Sequence, residues 1–176
     1  MSCWPTRGHR LWRTPDSAPN RLSPRSPRSS AGGEVAIAGV GHVAYRVADI
    51  DRTLRFYLDI LGLKELARLN RDDGSLWLVY VAAGNGTILE FFPGGDEPLA
   101  LGPRTQGYAH VSLHVDDLVG TLAEFRRRGL VAEGEPKRGA DGNLGFWIIG
   151  PDGVRIELME LAPDGLQARA MRALGM

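Results

Sequence analysis

The chain has 176 residues, of which 43% are hydrophobic and 24% are charged, and its 21 basic residues balance its 21 acidic residues. This composition is typical of a soluble globular protein of one or two small domains. No apolar run approaches the roughly 18 residues that a membrane-spanning helix requires. The single cysteine, Cys3, excludes an internal disulfide framework and a cysteine-based zinc site.

The first 35 residues form a basic extension that differs from the rest of the chain. Residues 1–33 carry six arginines, six serines, five prolines and one acid, Asp16, so their net charge is +5 and that of the remaining residues is −5. They show no apolar periodicity, and we predict that they are disordered. We interpret them as an upstream extension without a role in the fold, with translation starting near Val35. The alternatives are a transit peptide, which the prolines disfavour, and a nucleic-acid-binding arm, which the lack of lysines and interleaved aromatic residues disfavours.

Residues 39–92 have the pattern of a βαβββ module. Residues 40–47 alternate between apolar and small or polar side chains, which predicts a strand. Asp49 is a candidate helix N-cap, apolar residues then recur at helical spacing as far as Leu61, and Gly62 is a stop signal. Three further strands are predicted near 64–70, 75–82 and 87–92.

The same pattern recurs in residues 107–160, so the chain contains an internal repeat. Residues 42–54 align with residues 110–122, and six of these 13 positions are identical. The second module is predicted to have a strand at 108–115, a helix at 117–128 and strands near 130–135, 144–149 and 154–159. A module of about 55 residues is too small to be more than marginally stable alone, so we expect the two modules to pair and share one core. The predicted fold is therefore α+β, with two paired βαβββ modules in a domain at 36–162 and a C-terminal tail at 163–176.

Strand alternation places a histidine and a glutamate of each module on the open face of its sheet, because the apolar residues of each strand must pack on the helix. The polar residues that this rule places on the open faces are His42, Arg46 and Glu90 in the first module and His110, Ser112, His114, Arg155 and Glu157 in the second. Two imidazoles and two carboxylates without a thiolate suit one divalent metal ion such as Ni, Co, Mn, Fe or Zn. Recurrence of the pattern in both modules favours a metal site over four unrelated polar residues.

Several motifs lie between Val40 and Leu161. They are Gly41-His42-Val43, Phe56-Tyr57, Leu61-Gly62-Leu63, Leu89-Glu90-Phe91, Gly107-Tyr108-Ala109-His110, Val115-Asp116-Asp117 and the stretch 150–158. Together they resemble the vicinal oxygen chelate superfamily, which includes glyoxalase I, methylmalonyl-CoA epimerase, fosfomycin resistance proteins and extradiol dioxygenases. The resemblance implies that His42, Glu90, His110 and Glu157 are the metal ligands, and that the protein is a homodimer with sites at or near module interfaces. We expect a cytoplasmic protein that acts on a small molecule, and neither nucleic acid nor a membrane as a partner.

The ligand set narrows the branch of the superfamily that the chain resembles. Extradiol dioxygenases and fosfomycin enzymes generally use two histidines and one glutamate, and methylmalonyl-CoA epimerases usually carry glutamine at the position of Glu90. The full set resembles bacterial glyoxalase I and some epimerases of sugar-derived cyclitols. Arg46 matches a carboxylate-binding arginine of glyoxalase I, and His114 is its counterpart in the second module, so both are candidate substrate-binding residues. An asparagine expected after Glu90 in glyoxalase I is absent, since residues 91–95 are Phe-Phe-Pro-Gly-Gly.

The leading interpretation is a metal-dependent epimerase or isomerase that moves a proton next to the carbonyl of a polyhydroxylated ketone or cyclitol. The metal would stabilise the enediolate as a Lewis acid. Glu157 is the predicted catalytic base, and Glu90 could return the proton from the opposite side. The alternatives are a lactoylglutathione lyase, an extradiol-type dioxygenase and a small-molecule-binding or resistance protein. The sequence leaves open whether the four metal ligands come from one chain or from two.

Overall fold

The computed structural model describes residues 39–98, 104 and 106–175, and the predicted N-terminal extension, 1–35, lies outside them. The described residues form two four-stranded sheets, one for each predicted module, with few helices. This arrangement confirms the predicted α+β fold of paired βαβββ modules. No helix within the described residues is long and apolar enough to cross a membrane.

The first module contains four strands and one helical segment. Its elements are β1 (His42–Val47), α1 (Ile50–Leu54), a π-helical continuation (Arg55–Ile60), β2 (Lys64–Asn70), β3 (Leu76–Ala82) and β4 (Ile88–Pro93). The strand order in the sheet is β1-β4-β3-β2, in which β1 runs parallel to β4 and the other neighbours are antiparallel. Strand β4 therefore lies in the middle of the sheet, next to the edge strand β1.

The helix begins and ends where the sequence predicts. The side chain of Asp49 accepts a hydrogen bond from the backbone nitrogen of Arg52 at 2.9 Å, which satisfies one of the free N–H groups of the first turn. Gly62, with φ of +72°, ends the segment in the left-handed region that favours glycine. The change from α to π geometry after Leu54 was not predicted, and both aromatic residues at its start, Phe56 and Tyr57, are buried.

The second module repeats this architecture with a shorter outer strand. Its elements are β5 (Val111–His114), α2 (Leu118–Arg127), β6 (Lys137–Arg138), β7 (Leu144–Ile149), a 3₁₀ turn (Pro151–Gly153) and β8 (Arg155–Glu160). The strand order is β5-β8-β7-β6, with β5 parallel to β8. Asp117 caps α2 by accepting from the backbone nitrogen of Gly120, as the sequence predicts.

The strand predicted near 130–135 is wrong. No residue of that range is in a strand, and the outer strand β6 has only two residues further along the chain. The side chain of Arg126 donates hydrogen bonds to the carbonyl oxygens of Ala132 and Gly134. A side chain therefore satisfies backbone groups that a neighbouring strand would otherwise pair.

The two modules share one hydrophobic core, as predicted. Buried residues of both modules belong to a single cluster. Across the boundary, the rings of Tyr45 and Tyr108 meet edge to face with centroids 6.3 Å apart, and Arg52 forms a 2.6 Å ion pair with Asp152. A methyl group added at Gly150 would lie 3.3 Å from the ring of Phe56, so the backbone of the second module approaches the first closely.

The C-terminal segment, 163–176, contains a helix, α3 (Leu166–Ala173). The backbone nitrogen of Leu166 donates to the carbonyl oxygen of Asp141 at 2.7 Å, and Ala168 is buried. Just before this segment, the buried side chain of Asn143 accepts from the backbone nitrogen of Ala162. These contacts attach the end of the chain to the second module next to the start of β7.

We expect Phe91→Ala to lower the free energy of unfolding by about 3–5 kcal/mol. Phe91 is fully buried, and its ring lies 5.6 Å from that of Tyr45 and 4.7 Å from that of Tyr57, so truncation leaves a cavity in the shared core. Urea unfolding followed by circular dichroism measures the loss. The neighbouring variant Phe92→Ala, at a partly buried position, is the control. An equal loss in both variants would contradict a central role for Phe91.

Candidate metal and substrate site

The open face of the first sheet carries a His–Glu pair. Along β1 the residues alternate, with Tyr45 and Val47 buried and His42 and Arg46 exposed, as predicted. Strand β4 lies beside β1 and places Glu90 next to His42, with Oε2 of Glu90 at 3.5 Å from Nε2 of His42. The Glu90 side chain is only 7% exposed, whereas that of His42 is 52% exposed.

The second sheet carries the corresponding pair. His110 immediately precedes β5, and Glu157 lies in the neighbouring strand β8. Their Nε2 and Oε2 atoms are also 3.5 Å apart. The two modules that repeat in sequence therefore also share the same geometry of the His–Glu pair. The carboxylate of Glu157 is more accessible than that of Glu90, because its side chain is 23% exposed.

The two pairs do not meet within one chain. Among the residues that the structure describes, no group of three or more His, Cys, Asp or Glu side chains is positioned to hold a metal ion. The expectation that pairing the modules unites all four predicted ligands is therefore not met by the two modules of a single chain. One chain instead presents two separate His–Glu pairs.

Each pair fits two positions in the coordination shell of one divalent ion. Nitrogen and oxygen ligands lie about 2.1 Å from such an ion, so two neighbouring donors are about 3.0 Å apart at a right angle and about 3.4 Å apart in a tetrahedron. The observed separation of 3.5 Å is close to the second value. Protein metal sites normally use three or four protein ligands, so one pair alone is an incomplete site.

An aromatic residue stands opposite each glutamate, but the two aromatic residues differ in chemistry. Tyr80 of β3 is the cross-strand partner of Glu90, and Trp147 of β7 is the cross-strand partner of Glu157. A hydrogen bond from the Tyr80 hydroxyl to the Glu90 carboxylate raises the pKa of Tyr80 above its usual value. Trp147 has no hydroxyl to offer Glu157, and its ring instead meets that of His110 edge to face at 4.8 Å.

The prediction from sequence did not include Tyr80 or Trp147 among the site residues. A signal was available, because the repeat offset that aligns Glu90 with Glu157 also aligns Tyr80 with Trp147. Strand alternation alone could not assign them a role, since their position opposite the glutamates depends on the register of antiparallel strands. Gly145 is a further neighbour, because a Cβ there would lie 3.4 Å from Oε1 of Glu157.

We expect Tyr80→Phe to weaken divalent metal binding by about tenfold, since hydrogen bonds to ligating carboxylates orient them and their loss typically costs 10–100-fold. The substitution removes only the hydroxyl that donates to Glu90. Competition with a chromophoric chelator measures the affinity. Tyr57→Phe is the matched control, because within the described residues the buried Tyr57 hydroxyl has no hydrogen-bond partner. Equal affinities in the two variants would remove Tyr80 from the site.

The two predicted substrate-binding residues lie in different surroundings. Arg46 lines a cavity of about 540 Å³, and its guanidinium donates to the carbonyl oxygen of Pro93 at 3.4 Å and lies over the ring of Phe92. His114 is exposed at the end of β5, opposite Met159 of β8. Glu157 lines a separate cavity of about 360 Å³ in the second module, together with Gly145, Trp147 and Met159.

Comparisons with known proteins agree with the repeated architecture. The family model described as Glyoxalase/Bleomycin resistance protein/Dioxygenase superfamily matches residues 39–158. A "Probable lactoylglutathione lyase" of Synechocystis sp. is 32% identical over 125 residues, which are 68% of this chain and 92% of that protein. A lactoylglutathione lyase of Neisseria meningitidis serogroup A is 30% identical over 125 residues, which are 68% of this chain and 88% of that protein. Among solved structures, a glyoxalase family protein from Enterococcus faecalis has a TM-score of 0.60 at 23% identity and covers 70% of this chain and 98% of its own. The chain therefore belongs to the Glyoxalase/Bleomycin resistance protein/Dioxygenase superfamily.

Proposed function

We propose that this protein is a metal-dependent lyase of the glyoxalase I type. Its reaction would convert the hemithioacetal of methylglyoxal and glutathione into lactoylglutathione. The two compounds are isomers, because a proton leaves the carbon bonded to sulfur and a proton is added to the neighbouring carbon. The observation that carries the proposal is the repeated His–Glu pair, with both pairs at the same separation. A relative named probable lactoylglutathione lyase, 32% identical, and one named lactoylglutathione lyase, 30% identical, support this chemistry.

The epimerase interpretation that the sequence favoured has less support. It depended on the absence of an asparagine after Glu90, where the chain continues as β4 through Phe91 and Phe92. The named relatives instead favour the lyase, which the sequence left as an alternative. Both reactions begin with removal of a proton next to a carbonyl group, so the same side chains serve either substrate. The identity of the substrate, and not the chemistry, separates the two.

We further propose that two copies of the chain complete each metal site. One copy would supply His42 and Glu90, and its partner would supply its own His110 and Glu157. In a two-fold dimer this exchange happens twice, so two complete sites form from the four pairs. The separation of the pairs within one chain, together with the incomplete shell of each pair, supports this arrangement. A divalent ion held there would act as a Lewis acid on the two adjacent oxygens of the substrate.

The two glutamates would have different tasks. Glu157 has the more exposed carboxylate and lines a cavity, so it can reach a carbon-bound proton of a substrate and act as the general base. Glu90 is buried and lies opposite Tyr80 in the neighbouring strand, so it has less room to move than Glu157. Glu90 is therefore the better positioned metal ligand and Glu157 the better base.

A cytoplasmic location is a further prediction from the sequence.

The experiment that tests the proposal compares reactions on one preparation. Metal-free protein is supplied with Mn, Co, Ni or Zn in turn, and thioester formation from methylglyoxal and glutathione is followed by absorbance. Solvent-deuterium exchange into α-hydroxy ketones and cyclitol ketones is measured by NMR in parallel. Metal-dependent thioester formation supports the lyase. Deuterium exchange into a cyclitol ketone without thioester formation would replace the lyase with the epimerase. Consumption of oxygen during either reaction would replace the lyase with a dioxygenase.

A further inference from the structure

The two modules differ in the residue that lies diagonally across from the glutamate. The repeat offset that aligns Glu90 with Glu157 also aligns Leu78 of β3 with Gly145 of β7. Each of these residues lies two positions before the aromatic residue that faces the glutamate, and therefore on the same face of its strand. Leu78 is only 3% exposed, so a packed side chain occupies this position in the first module. Gly145 leaves the same position in the second module without a side chain.

Glu157 lies between His110 on one side and Gly145 on the other. Strand β8, which carries Glu157, lies between β5 and β7, and His110 immediately precedes β5. Oε2 of Glu157 is 3.5 Å from Nε2 of His110, whereas a Cβ at Gly145 would lie 3.4 Å from Oε1. The missing side chain therefore leaves room on the side of the carboxylate that faces away from the histidine.

This room continues into the cavity of the second module. Gly145 and Glu157 both line that cavity, which has a volume of about 360 Å³. The Glu157 side chain is 23% exposed, whereas that of Glu90 is 7% exposed. A side chain changes its rotamer only where close packing leaves space for the rotation. The Glu157 carboxylate can therefore turn from the histidine into the cavity, whereas the carboxylate of Glu90 is held in a closely packed position.

We propose that Gly145 is a positioning residue, whose lack of a side chain lets Glu157 turn away from the metal position and take the proton of the substrate. The inference rests on the proposed function, because it explains which glutamate acts as the base in that reaction. A carboxylate beside a cation is less basic, so it must turn away before it accepts a proton. The packed Leu78 denies Glu90 this movement. One side chain thus separates the roles of two glutamates that the repeat makes equivalent.

Side chains of increasing size at Gly145 test this assignment. Alanine adds only the methyl group that would touch Oε1 of Glu157, and valine adds more bulk while suiting a strand. We expect Gly145→Val to lower kcat for lactoylglutathione formation by about tenfold or more, and Gly145→Ala by less, with KM nearly unchanged in both. The midpoint of urea unfolding should stay the same or rise, because glycine weakens a strand. A higher KM at unchanged kcat would overturn the inference, since the space would then serve the substrate.

The same substitution in Glu157→Gln identifies the residue through which Gly145 acts. If Gly145 acts through the movement of Glu157, then Gly145→Val has no further effect on kcat once the base is removed. A general distortion of the site would instead lower kcat by the same factor in both backgrounds, and equal factors would overturn the inference. Ala170→Val, which adds a branched side chain at an exposed position of α3, is the control and should leave kcat unchanged.

Metal affinity provides a readout that does not depend on the substrate. A restricted Glu157 loses less freedom when an ion binds, so Gly145→Val should bind a divalent metal ion severalfold more tightly than the wild type and Ala170→Val. If the wild type forms no thioester with any of the metals, the proposed lyase is excluded, and this comparison then decides the role of Gly145. Equal or weaker binding in Gly145→Val, or no binding by the wild type, would then refute the inference.

Discussion

Replacing Glu157 with glutamine is expected to lower kcat for lactoylglutathione formation by about 10²–10⁴-fold. Glutamine keeps the shape of the side chain and one oxygen for coordination, but it cannot accept the proton that the reaction removes. Glu157 lines the cavity of the second module and is more exposed than Glu90, which is why we assign the proton transfer to it. The rate is measured as thioester absorbance on protein whose metal content is determined in parallel.

The same measurement on Glu90→Gln shows whether the loss of kcat is specific to Glu157. Glu90 is buried beside Tyr80, so its replacement is expected to act mainly through metal affinity, and excess metal should recover part of the activity. Excess metal should not rescue Glu157→Gln to the same degree. Glu65→Gln is a control, because Glu65 pairs with Arg68 on β2 outside the site. A kcat for Glu157→Gln within a factor of a few of the wild type would assign the base to another residue.

Mixing two inactive variants is expected to restore activity. His42→Ala removes a ligand from the first pair and His110→Ala removes one from the second, so each variant alone should lose metal binding and turnover. If complete sites combine the first pair of one copy with the second pair of its partner, a mixed dimer contains one intact site and one doubly damaged site. Random mixing then yields about a quarter of the wild-type activity, because half of the dimers are mixed and each retains one of its two sites.

The same mixture distinguishes a metal site shared by two chains from a site built within one chain. A site built within one chain is damaged in both variants, and no exchange of subunits can repair it. Unfolding and refolding the two variants together, with each refolded separately as the control, ensures that subunits exchange. Recovery of metal content in the mixture gives a readout that does not depend on the substrate. No recovery, with dimers confirmed by size-exclusion chromatography, would contradict the two-copy site.

The repeat, the fold class and the composition of the two pairs could all be predicted from the sequence. These properties are local, because strand alternation is determined by backbone geometry and assigns each side chain to a face without knowledge of its neighbours. The rule correctly separated His42 and Arg46 from the buried Tyr45 and Val47. The starts of the two helices were equally predictable, since Asp49 and Asp117 cap them through contacts within three residues.

Interactions between residues far apart in the sequence determined the features that could not be predicted from it. No strand forms near 130–135, where the side chain of Arg126 donates to the carbonyl groups of Ala132 and Gly134. The Tyr80 hydroxyl reaches Glu90 only because the register of β3 and β4 places the two residues opposite each other. No local periodicity determines such a register, which depends on the packing of the whole sheet.

Composition and charge by themselves excluded cysteine-based metal sites and a disulfide framework, and the repeated pattern predicted two His–Glu pairs on two open faces. Only the tertiary structure decided that the pairs remain apart within the described part of one chain, each with its donors 3.5 Å apart. The physical reason is that strand pairing determines the distance within a pair, whereas the distance between pairs depends on how the modules pack. That packing follows long-range contacts such as Tyr45 with Tyr108 and Arg52 with Asp152, which no single segment encodes.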